Sequence, residues 1–181
     1  KWLGASGSIS RLIHELQRER GLSSGVIASR GERFGDMLVA QQKLTDASLG
    51  ELQSIVRQHV TDQAIHGGVA AVADRLQGLR QRVSNREISR DYTVDRYTEL
   101  VDALFDMQLS TFGNAVKSSL FRKQMAFVAF SQAKETAGKE RALLSAILSD
   151  HNFSAGRMLS LNNLRATEQA RLVNFTRLAE P

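Results

Sequence analysis

Two arginines occupy positions where a permanent cation is costly. Arg20 lies in a segment whose apolar residues Ile9, Leu12, Ile13, Leu16 and Ile27 recur at helical spacing. Each residue advances about 100° around a helix axis, so with Ile9 at zero, Leu16 falls near about −20°, Ile13 near about 40° and Arg20 near about 20°. Arg20 thus points along the middle of the apolar face. In a later segment, with Phe127 at zero, Phe130 and Leu148 fall near about −60°, Ala137 near about −80°, Leu144 near about −100° and Arg141 near about −40°. Arg141 is therefore expected within the buried stripe, with Lys134 on its edge. A guanidinium does not shed its proton, so one facing a protein interior needs a negative partner or a path to water.

Three arrangements meet that need. The first is an internal ion pair, with Glu19 or Glu140 as candidate carboxylates reached through neighbouring helices. The second is snorkelling, with the stem buried and the head in water. The third is a socket in which the two arginines hold a small oxyanion, whose planar edge matches the donor fork of a guanidinium. Gly21, Ser23, Ser24 and Gly25 surround Arg20 in sequence. Such small residues make room and offer hydroxyl donors, or equally allow close helix contact. Gln41, Gln42 and Thr45 on the next helical segment are compatible with a polar pocket.

Other chemistry finds little support. There is no HExxH, no glycine-rich phosphate loop and no Cys. His14, His59, His66 and His151 are widely spaced and read as surface or capping residues. No nucleophile, base and orienter are brought together by the pattern. The expectation is a protein that is not an enzyme, with no catalytic residues, no metal and no cofactor. The net charge is +5, but Arg is spread along the whole chain and aromatics make up 6%. That distribution argues against nucleic-acid binding by this domain.

The elements that position these residues are helical. Six segments carry the i, i+3, i+4, i+7 pattern, among them Ile65 to Val83 and Val94 to Val116. The single Pro is the last residue, so no helix is interrupted by a missing donor. Gly31 suits the left-handed C-terminal position of the first helix. Thr61-Asp62, Thr93 and Ser154 are candidate N-caps for the third, fourth and sixth. Gly67, Gly68 and Gly78 in the third segment imply close packing or local looseness. Short connections between long helices make neighbours antiparallel. The predicted fold is all-α, an elongated antiparallel bundle of about six helices with four-helix-bundle packing, forming a single domain over 1–181.

Three stretches carry a resemblance to the nitrate- and nitrite-sensing (NIT) domain family. They are Leu16-Gln17-Arg18-Glu19-Arg20-Gly21-Leu22-Ser23-Ser24-Gly25, Gln42-Lys43-Leu44-Thr45-Asp46, and Gly138-Lys139-Glu140-Arg141-Ala142-Leu143-Leu144. The likeness runs from about Ile9 to Arg177. It implies an all-helical ligand-binding sensory domain of bacterial receptors: chemoreceptors, sensor kinases, cyclic-dinucleotide enzymes or a transcription antiterminator. It also implies that Arg20 and Arg141, the arginines of the two ERG/ERA motifs, hold nitrate or nitrite between the first and fifth helices, with Ser23 or Ser24 adding a neutral hydrogen bond.

The ligand is accordingly expected to be a small inorganic anion and the assembly a homodimer. A helical dimerisation or signal-relay module with no ligand of its own is the alternative. The chain opens at Lys1 rather than Met and holds no run of about 20 apolar residues. It is therefore read as a piece of a larger protein, lacking part of the C-terminal side of the domain, with any membrane anchor outside it. A periplasmic sensor domain of an inner-membrane receptor is the first expectation for location, and a cytoplasmic regulator the alternative.

Overall fold

The computed structural model describes residues 2–110, 119–151 and 153–179. Among them the chain forms six α-helices and no strand: α1 (Trp2–Ala28), α2 (Gly35–His59), α3 (Gln63–Ser84), α4 (Arg90–Ser110), α5 (Ser119–Asp150) and α6 (Ala155–Ala179). They divide into two compact units, Lys1–Thr111 and Phe112–Pro181. The end of the Val94 to Val116 segment expected above, residues 111–116, lies outside the described residues.

The first unit is a four-helix bundle. α1 packs on α2 and α4, and α3 packs on α2 and α4, which closes the ring. Its core is aliphatic: Ile9, Leu12, Leu16, Leu52, Leu76 and Leu104 are all essentially inaccessible. Full burial of such a side chain contributes roughly 1.5–3 kcal/mol. All six apolar residues of the Ile65 to Val83 stripe are buried, as their spacing predicts.

The helix ends follow local chemistry. α1 stops with a paired set of bonds, Gly31 N–H to Val26 C=O at 2.8 Å and Arg30 N–H to Ile27 C=O at 3.1 Å. Arg30 (φ 54°) and Gly31 (φ 86°) both take left-handed backbone there. α3 ends the same way around Arg86 (φ 57°), with Glu87 N–H on Arg82 C=O at 3.0 Å. Asp62 caps α3 by accepting from Ala64 N–H at 2.8 Å. Ser154 accepts from Arg157 N–H at the start of α6. Thr93 is not the cap of α4. The helix begins a turn earlier, Ser89 Oγ accepts from Tyr92 N–H at 3.2 Å, and Thr93 is a buried residue whose hydroxyl donates back to Ser89 C=O. A Cβ on Gly68 would sit 3.2 Å from Met107, so close packing accounts for that glycine. Gly67 and Gly78 face open space among the described residues.

The second unit is a helical hairpin of α5 and α6. α5 buries Ala126, Ala129, Ala133, Thr136 and Ile147, which fall within about 80° of one another around the axis, and also Val128 and Glu135 on the opposite side. The small residues let α6 approach, and Arg171 reaches across to Gln132 C=O and Thr136 Oγ1. Phe127, Phe130 and Leu148, which define the expected buried stripe of this helix, are exposed at 50%, 48% and 61%. Met158 and Leu172 of α6 are exposed as well. Apolar residues run most of the way round α5, so their spacing did not single out the covered side.

Replacing Gly31 by Ala puts a Cβ on left-handed backbone, a conformation costing L-residues roughly 1–2 kcal/mol. Gly31→Ala is expected to lower unfolding free energy by about that amount in urea titration followed by circular dichroism.

Candidate functional site

The main polar feature of the bundle is built on α1, where Glu19 and Arg20 are adjacent and therefore point about 100° apart. Glu19 has no exposed surface. Arg80 of α3 grips its carboxylate with two bonds, Nε to Oε1 at 2.7 Å and Nη2 to Oε2 at 2.9 Å. The same guanidinium reaches α2, donating to Asp46 Oδ1 at 2.6 Å and Gln42 C=O at 3.2 Å. From α4, the fully buried Tyr97 hydroxyl donates to Glu19 Oε1 at 2.8 Å and accepts from Ser23 Oγ at 3.1 Å. One carboxylate and one guanidinium therefore tie together all four helices.

The electrostatics follow from that geometry. Burial and the neighbouring Glu19 carboxylate raise the Tyr97 phenol far above its ordinary value, against a smaller opposing effect of the Ser23 hydrogen bond. Burial alone would lower Arg80, but its hydrogen bonds to Glu19 and Asp46 outweigh this and hold the guanidinium more firmly protonated than usual.

Arg20 turns to a different neighbour. It is 8% exposed, and Nη1 donates to Thr98 Oγ1 of α4 at 3.0 Å. Ser24 is buried and accepts from Arg90 Nε at 3.1 Å, which leaves its hydroxyl proton for another acceptor. Ser23 directs its own proton to Tyr97. Gly25 makes room for the Phe34 ring, since a Cβ there would lie 2.9 Å from it; a Cβ on Gly21 would meet nothing within 4 Å among the described residues. Gln41 and Thr45 are buried, with the Gln41 amide on Glu15 and the Thr45 hydroxyl on Gln41 C=O.

Arg141 departs from the sequence expectation. It is exposed, on the same side of α5 as Phe127, Phe130 and Leu148. The angular relation predicted from the wheel holds; the side itself is not covered. Lys134 is exposed too. Both carboxylates considered as internal partners are engaged by other arginines: Glu19 by Arg80, and Glu140 by Arg165 Nε at 2.8 Å. Arg80 escaped the sequence reading, although a signal for it existed. With Leu76 at zero it falls near about 40°, at the border of the α3 stripe, so the exercise applied to Arg20 selects it as well. No group of three or more His, Cys, Asp or Glu could hold a metal ion among the described residues.

The nitrate and nitrite sensing family (NIT) matches residues 11–181, across both units. The chain belongs to this family. A nitrate regulatory protein of Klebsiella oxytoca is 26% identical over 97% of this NIT chain and 46% of its own length. The solved structure of the NasR transcription antiterminator is similar at a TM-score of 0.86, with 26% identity, over 98% of this chain and 50% of that one. The NIT chain thus spans about half the length of these relatives. Neither is described as a chemoreceptor, a kinase or a membrane receptor, and neither is described as an enzyme. A relative described as a transcription antiterminator lends no support to the expected absence of a nucleic-acid partner. No helix among the described residues is long and apolar enough to cross a membrane.

Two outcomes test the buried network. Arg80→Met strands the Glu19 carboxylate, and breaking a buried pair from one side costs about 3–5 kcal/mol. Urea unfolding should show that loss, with the Glu19→Gln/Arg80→Met double variant markedly more stable than Arg80→Met alone. The raised Tyr97 phenol contributes stability that is fully present below about pH 10, the ordinary tyrosine value, and lost as pH climbs through the higher folded-state value. Near-ultraviolet phenolate absorbance of the folded protein should be unchanged by Tyr97→Phe up to about pH 11.

Proposed function

We propose that this chain is the nitrate- and nitrite-sensing domain of a bacterial signal-transduction regulator, with Arg20 as the anchoring cation for the anion. The observation that carries the reading is the burial of the Arg20 guanidinium within the Glu-Arg-Gly motif of a chain matched to the family over residues 11–181. Ser24, with a hydroxyl proton still to place, is the neutral donor. Ser23 acts through Tyr97. Arg141, the arginine of the second ERG/ERA motif that carries the family resemblance, is the second proposed cation and is exposed on α5. The two compact units together make one sensory domain, since the family match runs through both.

Binding would neutralise charge beside a rigid four-helix core. An arrangement of helices that suits the bound anion is then favoured over one that does not, and that difference is what an attached output segment can read. The relatives' descriptions, a regulatory protein and a transcription antiterminator, support a cytoplasmic regulator over a periplasmic receptor ectodomain. A second reading, a helical dimerisation or relay module, is favoured by the exposed Phe127, Phe130, Leu159 and Val173 of α5 and α6. Association into a homodimer is compatible with both.

Charge-assisted hydrogen bonds contribute about 1.5–3 kcal/mol each, so calorimetric titration with nitrate should show affinity falling about 10- to 100-fold in Arg20→Ala. Arg141→Ala should also weaken binding, and both variants should keep their helical circular dichroism. Nitrate should raise the melting temperature where chloride at equal ionic strength does not. Absence of any heat or melting shift with millimolar nitrate and nitrite leaves the relay reading in its place.

A further inference from the structure

A second cluster of cations lies in the first unit, on the outer side of α3 and α4. Between these helices is a cleft of about 460 Å³, lined by Arg75, Gly78, Arg82, Tyr92, Arg96 and Glu99 among others. That volume falls within the roughly 300–1,000 Å³ of small-molecule sites. Three guanidiniums face one carboxylate in the lining. The Arg82 and Arg96 guanidinium carbons stand 4.7 and 4.9 Å from the centroid of the same Tyr92 ring. Arg82 Nη1 also donates to the Tyr92 hydroxyl at 2.8 Å.

The ring holds two like charges close together, each drawn by the ring's negative face. Glu99 answers part of that charge, accepting from Arg96 Nη2 at 2.6 Å. It leaves Arg96 Nε buried with no hydrogen-bond partner among the described residues. Arg75 makes no hydrogen bond or ion pair among the described residues and lines the opposite end of the same side of α3, seven residues before Arg82 and so about 20° from it around the axis.

We propose that this cleft is a second anion site, distinct from the nitrate site, that recognises a phosphate or diphosphate group. The chemistry favours phosphate over a monoanion. Several guanidinium forks converge on one space, and a phosphate offers three terminal oxygens and up to two negative charges to answer them. The aromatic platform holds two of the arginines in place before the ligand arrives, so less freedom is lost on binding.

Calorimetric titration of the protein at fixed ionic strength, with inorganic pyrophosphate and with ADP as probes, tests the site. Saturable binding of either probe is expected, weakened at least about 10-fold, one factor of ten in affinity, by Arg75→Ala/Arg82→Ala. Both replaced side chains are exposed; Arg75→Glu alone, which reverses one charge, should weaken binding in the same direction if the double variant loses its fold. Tighter binding of ADP points to an organic phosphate ester as the source of the group, and equal binding to the free anion; either is the chemistry proposed. No saturable binding of either probe up to about 10 mM, weaker than a millimolar dissociation constant, overturns the proposal. So does binding that the arginine variants leave unchanged. Nitrate titration of the same variants should be unaltered, and Arg20→Ala should leave pyrophosphate binding intact, so the two sites stand or fall separately.

Discussion

A carboxylate with no access to water governs the architecture of the first unit. Glu19 is charged only at the expense of hydration, and the helices around it are arranged to return what it loses: two bonds from Arg80 and one from Tyr97. Because Arg80 also holds Asp46 and the Gln42 carbonyl, moving α1 or α3 along its axis would break bonds to two other helices. An aliphatic core tolerates small slides between helices, whereas a bidentate ion pair does not. The network therefore sets register and rotation in a bundle whose apolar layers alone would leave them loosely defined.

That constraint has a direct consequence for the neighbouring residue. With Glu19 turned toward Arg80 and Tyr97, Arg20 is rotated by one helical step and directed to Thr98 on α4. The two charges of the Glu-Arg-Gly motif thus divide the work. Glu19 belongs to the scaffold, and Arg20, buried beside it, is the cation of the proposed anion site. Ser23 and Ser24 divide likewise, one hydroxyl spent on Tyr97 and the other bound to Arg90 with a proton in hand.

The second unit is held differently. α5 and α6 meet through alanines, with Arg171 bonding to the α5 backbone and Phe130 against Phe175 at 5.3 Å between ring centres. Small residues permit close approach of two helices but bury little apolar area, and several large side chains of this hairpin stay exposed. Arg141 shares that exposed side.

The helix count, the third helix's buried stripe, the caps at Asp62 and Ser154 and the left-handed turn at Gly31 were all legible in the sequence. Each depends on residues within a turn or two of one another, where spacing and side-chain type decide the outcome. The inward placement of Arg20 was legible for the same reason, because α1 has a single continuous apolar face. Arg80 could have been found by the same wheel but was masked by the stronger aliphatic stripe beside it. The covered sides of α5 were not legible: with apolar residues nearly all round, spacing does not say that the alanine face and the side of Val128 and Glu135 are buried while Arg141 is left exposed. Nor could spacing reveal that Glu19 pairs with a residue 61 positions away, or that three arginines and Tyr92 gather in one cleft. Those pairings depend on how whole helices are rotated against each other, and that rotation is decided by long-range packing and the burial of charge.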